Sequence, residues 1–209
     1  MEYPEKGVEG LLRSYIQFLP NVHFIFSVSK KHLMEHIFFS IKRPFYQSTP
    51  KLFLDKISKE VYFSFAHSFF EKEGKELPEE IFDKVYTWVD GHTWYVQYLL
   101  NRLFALPEKT LSPELLDSLM MEILQEEEYT YQTYFQLLTF NQTQLLKVIA
   151  KEGIVREVNA AAFIKKYDLK AVSNVNTSLR ILIDKEFILR QPDGHIVYDR
   201  FMSIWLSRI

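Results

Sequence analysis

The sequence predicts a mostly α-helical protein with a short α/β segment near its N-terminus and three helices followed by a β-hairpin at its C-terminal end. Three observations predict this arrangement. Apolar residues recur at helical spacing, between cap and stop residues, over most of residues 58–185. A β-branched and aromatic run at residues 22–26 is typical of a strand. A Pro-Asp-Gly turn at residues 192–194 is typical of a hairpin.

The composition excludes several classes of protein. The chain of 209 residues has no cysteine, which excludes disulfides and thiolate metal sites and fits a reducing compartment. Its formal net charge of −2 gives no general electrostatic reason to expect binding to nucleic acid or to a membrane. No apolar run approaches the roughly 18 residues of a membrane span. We therefore expect a cytoplasmic protein that does not bind membranes.

The N-terminal segment, residues 1–54, is predicted to combine helices with one strand. Helical spacing of apolar residues predicts a helix over residues 10–19. The apolar run that follows predicts a strand over residues 22–27, buried on both faces. A short helix is then expected at residues 31–39, and an extended segment at residues 44–54 that returns to the core.

Residues 55–139 are predicted to form a helical region. The first helix is bounded by a serine cap and a glycine stop, and its buried face is expected to hold Val61, Phe65, Ala66 and Phe69. The second ends at a glycine, and the fourth begins with a Ser-Pro-Glu sequence that suits a first turn. The four predicted helix starts or caps are Ser58, Pro78, Thr93 and Ser112.

Residues 140–209 are predicted to form a winged helix-turn-helix domain. Asn141 is the expected cap of its first helix, with Gln144 at the capping-box position. Two more helices over 159–167 and 172–185 precede the hairpin, and Asp199 is expected to cap a last helix. Residues 141–209 carry a net charge of +4, against −6 for the rest of the chain, which favours a boundary near residue 140.

Five local strings, taken in order, resemble the part of STAND-type AAA+ P-loop ATPases that follows the Walker B strand. They are PEKGVEGLLRSYIQ at 4–17, FIFSVS at 24–29, RPFYQ at 43–47, DGHTWYVQ at 90–97 and YDRFMSIWL at 198–206. The resemblance covers nearly the whole chain. It implies a residual α/β piece of a P-loop ATPase core, a helical lid and a winged helix, which together act as a nucleotide-dependent switch in the intact family.

The resemblance also implies roles for particular residues. Ser27 and Ser29 lie at sensor-1 positions, which orient the attacking water in an intact relative, and Arg43 is a candidate arginine finger. Gly91 and Thr93 lie in the string of the lid that approaches the nucleotide. Two positions depart from the family pattern, because Val28 stands where a glycine is usual and Thr93 where a proline is often found against the adenine.

The phosphate-binding half of the family's site has no counterpart in the sequence. No two of the six glycines have the spacing of G-x-x-x-x-G-K-[ST], and no strand ending in paired acids precedes Gly10. We therefore expect that the chain alone has no cofactor and hydrolyses no ATP, whereas an intact relative uses ATP and Mg²⁺. The chain is expected to be a C-terminal fragment, a split gene product or a degenerate paralogue.

An incomplete sheet predicts the partners of such a chain. Aromatic residues of the first segment would lack cover, so we expect association with the missing ATPase half or self-association through exposed apolar surface. The aromatic residues concerned are Phe24, Phe26, Phe38, Phe39 and Phe45.

Two other functions stay open. A stand-alone winged-helix regulator would bind DNA through its third helix and its wing, where the candidate contact residues are Asn174, Asn176, Thr177, Arg180 and Arg190. The string from His32 to His36 matches the H-x-x-E-H pattern of a class of zinc peptidases. No third ligand has a clear claim, so no metal site is predicted.

Overall fold

The computed structural model describes residues 7–27, 31–50, 52 and 54–209. The described part is mostly helical, with ten α-helices and one two-stranded sheet. The chain divides into two compact units, residues 1–55 and residues 56–209. No helix in the described part is long and apolar enough to cross a membrane. The three-part division predicted from the sequence stays a prediction.

The first unit contains two of the predicted helices, α1 (Val8–Ile16) and α2 (Lys31–Phe39). Three phenylalanine rings of this unit pack together, with centroids 4.9 to 5.6 Å apart. They belong to Phe26, to Phe38 on α2 and to Phe45. Phe38 and Phe45 are buried, so the expectation that they lack cover is wrong. By contrast, α1 has no buried residue, and its apolar side chains remain largely exposed.

The predicted strand at residues 22–27 is wrong. These residues adopt no strand in the structure, and Ile25 is 93% exposed. A strand is stable only when its backbone groups pair with a neighbour, and the described residues of this unit supply no neighbouring strand. The extended segment predicted from residue 44 is wrong at its start, because residues 41–47 form successive turns that bury Phe45.

The second unit begins with the four predicted helices. They are α3 (Lys59–Lys72), α4 (Glu79–Trp88), α5 (Thr93–Ala105) and α6 (Pro113–Gln136). Ser112 caps α6 as predicted, because its side chain accepts a hydrogen bond from the Leu115 N–H. Arg102 on α5 donates to Glu122 at 2.9 Å and to Glu126 at 3.0 Å, and so ties α5 to α6. Thr93 is the first residue of α5 and not its cap, which is His92.

Of the predicted buried face of α3, only Ala66 is buried. Tyr62, Ala66 and Phe70 point inward, whereas Val61 and Phe65 are more than half exposed. Apolar residues cover much of the circumference of this helix, so their spacing alone does not determine which side faces the core. Only the positions of α4 and α5 decide it.

The C-terminal part contains three helices, a hairpin and a last helix, as predicted. The elements are α7 (Phe140–Glu152), α8 (Ala161–Lys166), α9 (Val172–Asp184), β1 (Ile188–Gln191), β2 (Gly194–Val197) and α10 (Arg200–Ser207). The strands pair antiparallel, with Ile188 opposite Val197 and a two-residue turn at their ends. Val155, in the segment after α7, also pairs with the hairpin. It forms an isolated bridge with His195 through two backbone hydrogen bonds, of 3.0 and 2.8 Å.

The cap of α7 is Thr139, two residues before the predicted Asn141. The Thr139 side chain accepts from the Gln142 N–H, and the Gln142 side chain accepts from the Thr139 N–H, which together form a capping box. The predicted pair Asn141 and Gln144 is therefore wrong, although a capping box is present two residues earlier.

This cap supports a matched test. Thr139→Ala is expected to lower the free energy of unfolding by about 1 kcal/mol, because the first turn of α7 loses a hydrogen-bond acceptor. Asn141→Ala is expected to change it by less than about 0.5 kcal/mol. Urea denaturation followed by circular dichroism measures both. Equal losses in the two variants would contradict the assignment.

Candidate functional site at the junction of α4, α5, α6 and α10

The turn between α4 and α5 meets the beginning of α10. Asp90 and Gly91 both have positive φ angles, 53° and 62°. The Gly91 N–H donates to the Tyr86 carbonyl at 2.8 Å, which closes the end of α4. Glycine suits this position because φ is positive, and an added Cβ would also lie 2.5 Å from the end of the Tyr86 ring, which would have to shift. The turn therefore has one defined shape, which carries the Asp90 carboxylate to α10.

The Asp90 carboxylate binds two cations. Arg200 approaches one of its oxygens at 3.2 Å, and Lys56 approaches the other at 2.6 Å. The Arg200 side chain is only 11% exposed, and its Nε is buried without a hydrogen-bond partner among the described residues. Burial lowers the pKa of Arg200, and the nearby charge of Asp90 opposes this shift. Asp90 thus compensates a cation that lies within the protein.

Aromatic side chains complete the contact between the helical region and α10. The Phe201 ring packs edge-on against Tyr95 at 4.9 Å between centroids, and against Tyr98 at 5.6 Å. The Tyr131 hydroxyl lies 3.4 Å from both carboxylate oxygens of Asp199, to which it donates. Burial raises the pKa of Tyr95 and of Tyr131, and the charge of Asp199 raises both further. Both phenols therefore stay protonated at neutral pH.

Asp199 also belongs to the hairpin side of the junction. Its carboxylate accepts from the Met202 N–H at 3.0 Å and caps α10, as the sequence predicted. The preceding Tyr198 N–H donates to the Phe187 carbonyl at the beginning of the hairpin. The first turn of α10 is therefore bonded to the hairpin on one side and to α5 and α6 on the other.

Two of the residues singled out in the sequence lie at this junction. Gly91 is buried in the turn, and Thr93 is exposed, with its carbonyl oxygen 3.4 Å from the Tyr62 hydroxyl that donates to it. The intervening His92 has its ring 5.0 Å from that of Tyr95. Partial burial lowers the pKa of His92, and the charge of Arg200 lowers it further. The outer side of the turn is thus open to solvent and carries a mainly neutral imidazole.

The other nucleotide-related candidates belong to the first unit. Ser27 is exposed, and Ser29 lies outside the described residues. Arg43 forms an ion pair with Glu9 at 3.1 Å, and its Nη2 lies 3.0 Å from Nε2 of His36. The side chain of His32 lies outside the described part of the chain. Among the described residues, no group of three or more His, Cys, Asp or Glu residues is placed to hold a metal ion.

The DNA-contact candidates are exposed on α9 and on the hairpin. Val175, Ser178 and Leu182 face inward from α9, which leaves the opposite face of the helix to solvent. The exposed candidates are Asn174, Asn176, Thr177, Arg180 and Arg190. None of these five side chains is hydrogen-bonded or ion-paired to another residue in the described part of the chain.

Three helices followed by a hairpin, with a bridge from the segment after the first helix, define the class of winged helix domains. A family model described as a probable winged helix domain matches residues 129–208 of this chain. The C-terminal part of the protein is therefore a winged helix domain, as the sequence predicted. Among curated proteins and solved structures, no match was found.

Sequence reasoning did not find the ionic centre of the junction. Asp90 and Arg200 are 110 residues apart in the chain, and each lies in a string singled out above for other reasons. The sequence predicted only that the second helix of this region ends at Gly91. Nothing in the sequence indicated that the Asp90 carboxylate would pair with an arginine of the last helix.

The Asp90–Arg200 pair is testable by a double-mutant cycle. With Asp90→Asn and Arg200→Met, we expect a coupling energy of about 1 kcal/mol, which is at the upper end for pairs with one exposed partner. The exposed Lys84–Asp117 pair, with a closest distance of 2.8 Å, is the control and should give about 0.3 kcal/mol. Chemical denaturation measures all the variants. A coupling no larger than that of the control would contradict the proposed importance of burial.

Proposed function

We propose that this chain is the helical lid and winged-helix part of a STAND-type ATP-dependent switch. In this proposal the turn between α4 and α5 contacts the nucleotide, and α10 transmits the state of the turn to the winged helix. One observation carries the proposal: the turn is joined to α10 by the Asp90–Arg200 ion pair. The match to a winged helix domain supports the C-terminal end of this arrangement.

Mechanical continuity is what a switch of this kind needs. Phe201 is buried against two tyrosines of α5, so a displacement of the turn would be passed to α10 through packed side chains. The same helix begins directly after the hairpin. The lid and the winged helix are expected to move as one body.

The residues fit only part of a nucleotide. The open outer side of the turn, with His92 and Thr93, suits a flat base, but the sequence has no glycine-rich loop to hold phosphates. The proposal therefore includes no hydrolysis of ATP by this chain alone. Roles of Ser27, Ser29 and Arg43 toward ATP and Mg²⁺ belong to the proposal only for an assembly that contains the phosphate-binding half.

Titration with ADP tests the proposed contact. We expect a weak complex, with Kd on the order of 1 mM, because only the base is held. Amide chemical shifts of Gly91, His92 and Thr93 should change most, and that of Phe201 should change less along the same titration curve. Inorganic phosphate at the same ionic strength is the control and should leave the turn unchanged. No change at the turn with about 10 mM ADP would contradict the proposal.

DNA binding by the winged helix is a second candidate, favoured by the unengaged polar face of α9. Asparagine and arginine side chains at such positions read bases in the major groove, and the net charge of +4 in residues 141–209 would attract phosphates.

A salt titration tests this second function. Fluorescence anisotropy with a duplex of random sequence should show binding that weakens as salt rises. Arg180→Ala is expected to weaken it about tenfold, whereas the exposed Lys109→Ala, outside the winged helix, should have little effect. Binding that does not depend on salt, or that both variants weaken equally, would exclude the role assigned to α9.

A further inference from the structure

The outward face of α9 follows from the residues that the helix buries. Val175, Ser178 and Leu182 point into the winged helix domain. Because successive residues of a helix are rotated by about 100°, the side opposite these three carries the exposed residues Ser173, Asn176, Thr177, Arg180 and Asp184. Asn174 lies at the edge of this face. The face is therefore polar along its whole length, and it includes three of the DNA-contact candidates.

The charges within α9 and just before it cancel. Arg180 and Asp184 are the only charged residues of the helix, and Lys170 before it is matched by Asp168. Attraction of phosphates has to come from the rest of the domain, which carries a net charge of +4 over residues 141–209. What the outward face of α9 offers to DNA is therefore hydrogen bonding to the edges of bases.

Asn176 and Arg180 are the two side chains of this face that can form a pair of hydrogen bonds with one purine. The asparagine amide pairs with N6 and N7 of adenine, and the guanidinium pairs with O6 and N7 of guanine. Ser173 and Thr177 carry single hydroxyl groups, which distinguish bases poorly. Neither Asn176 nor Arg180 is hydrogen-bonded or ion-paired through its side chain to another residue that the structure describes. Both groups are available to a ligand.

The spacing of these two residues sets the distance between the bases that they can contact. They lie four residues apart on one side of the helix, which is about 6 Å along its axis. Successive bases of one DNA strand are about 3.4 Å apart. A helix that lies along the major groove therefore brings the two side chains to base pairs about one or two steps apart.

Asp184 gives the helix an orientation in the groove. It is the last residue of α9, where the helix dipole is also negative. Both the carboxylate and the dipole repel phosphates, so the C-terminal end of α9 is expected to point out of the groove. The N-terminal part of a recognition helix is also the part that meets the bases in helix-turn-helix proteins.

We propose that α9 recognises duplex DNA in which an A·T pair lies within about two steps of a G·C pair. Asn176 binds the adenine, and Arg180 binds the guanine. The proposal rests on DNA binding by the winged helix, the second candidate function above, and adds to it the residues that determine the preferred sequence.

Binding of the full chain to a library of duplexes with randomised central base pairs tests the proposal. Sequencing of the bound fraction should show adenine and guanine enriched at two positions in a fixed register. Fluorescence anisotropy should then give about tenfold tighter binding to an enriched duplex than to the same duplex with its G·C pair replaced, which is the usual effect of one mismatched pair.

Three variants assign the preference to particular side chains. Arg180→Gln should change the preferred base at its position from guanine to adenine, because glutamine pairs with adenine as asparagine does. Asn176→Ala should abolish the preference for adenine and keep the preference for guanine. Asp184→Asn is the control, and it should tighten binding to all duplexes alike without changing the preferred sequence. A loss of folding cannot produce the changed preference expected for Arg180→Gln.

The outcomes distinguish this proposal from DNA binding itself. Salt-dependent binding without any enriched sequence would overturn the roles of Asn176 and Arg180 and leave DNA binding in place. A wild-type preference for guanine that persists in Arg180→Gln would also overturn them. The absence of binding to every duplex would overturn both the proposal and the second candidate function.

Discussion

Gly194→Ala is expected to lower the free energy of unfolding by about 3 kcal/mol, since two effects add at this position. Gly194 has a φ of 144°, a backbone conformation that residues with a Cβ rarely adopt. An added Cβ would also lie 2.6 Å from the Val155 carbonyl oxygen. That oxygen accepts the His195 N–H, so it cannot move away without breaking the bridge that fixes the hairpin.

Gly153→Ala is the matched control for this prediction. Gly153 also has a positive φ, of 76°, but an added Cβ there would meet no atom within 4 Å. Gly153→Ala should therefore lower the free energy of unfolding only by the backbone strain of a residue with a Cβ at positive φ, about 1 kcal/mol. Denaturation midpoints of both variants, measured in urea, give the difference. Equal losses would show that the contact with Val155 is not tight.

Phe201→Ala is expected to lower the free energy of unfolding by about 3–5 kcal/mol, the usual range for a buried phenylalanine. The side chain is 4% exposed and fills the space between α10 and the tyrosines of α5. Its removal leaves a cavity at the junction itself. The substitution should therefore lower the stability of the winged helix domain. It should also weaken the connection between this domain and the helical region.

The cooperativity of unfolding shows which connection is lost. Residues 56–209 of the wild-type chain form one compact unit, and we expect them to unfold in one transition. In Phe201→Ala, tryptophan fluorescence and circular dichroism should give separated transitions. Phe140→Ala, at a phenylalanine that is 72% exposed, should change stability by less than about 0.5 kcal/mol. Coincident transitions in Phe201→Ala would mean that other contacts hold the junction.

Local signals in the sequence predicted the helices and the hairpin well, but the strand at residues 22–27 wrongly. Caps and breakers such as Ser112 and Asp199 act on their own turn of the chain, so their effect can be read without knowing the fold. The run at residues 22–27 has strand composition, but a strand is completed by a neighbour. None is supplied by the described residues of the first unit, and the run stays largely exposed.

The candidate sites divide in the same way. Gly91 was selected from a string of the sequence, and the structure gives it a specific role in a turn with positive φ. Arg200, at the centre of the junction, was not selected, because its importance comes from burial and from Asp90 far along the chain. The exposure of Phe65 and Phe69 on α3 was also not predicted, since the sequence places both in the core.

The sequence by itself determined the order of the elements in residues 58–207, including the three helices and hairpin of the winged helix domain. Those features follow from periodicity, caps and turns, which are local interactions. Only the tertiary structure decided which face of α3 is buried, that residues 22–27 form no strand, and that Asp90 compensates Arg200. Each of these depends on which residues from distant parts of the chain are buried against one another. The free energy of that burial and pairing cannot be read from any single segment.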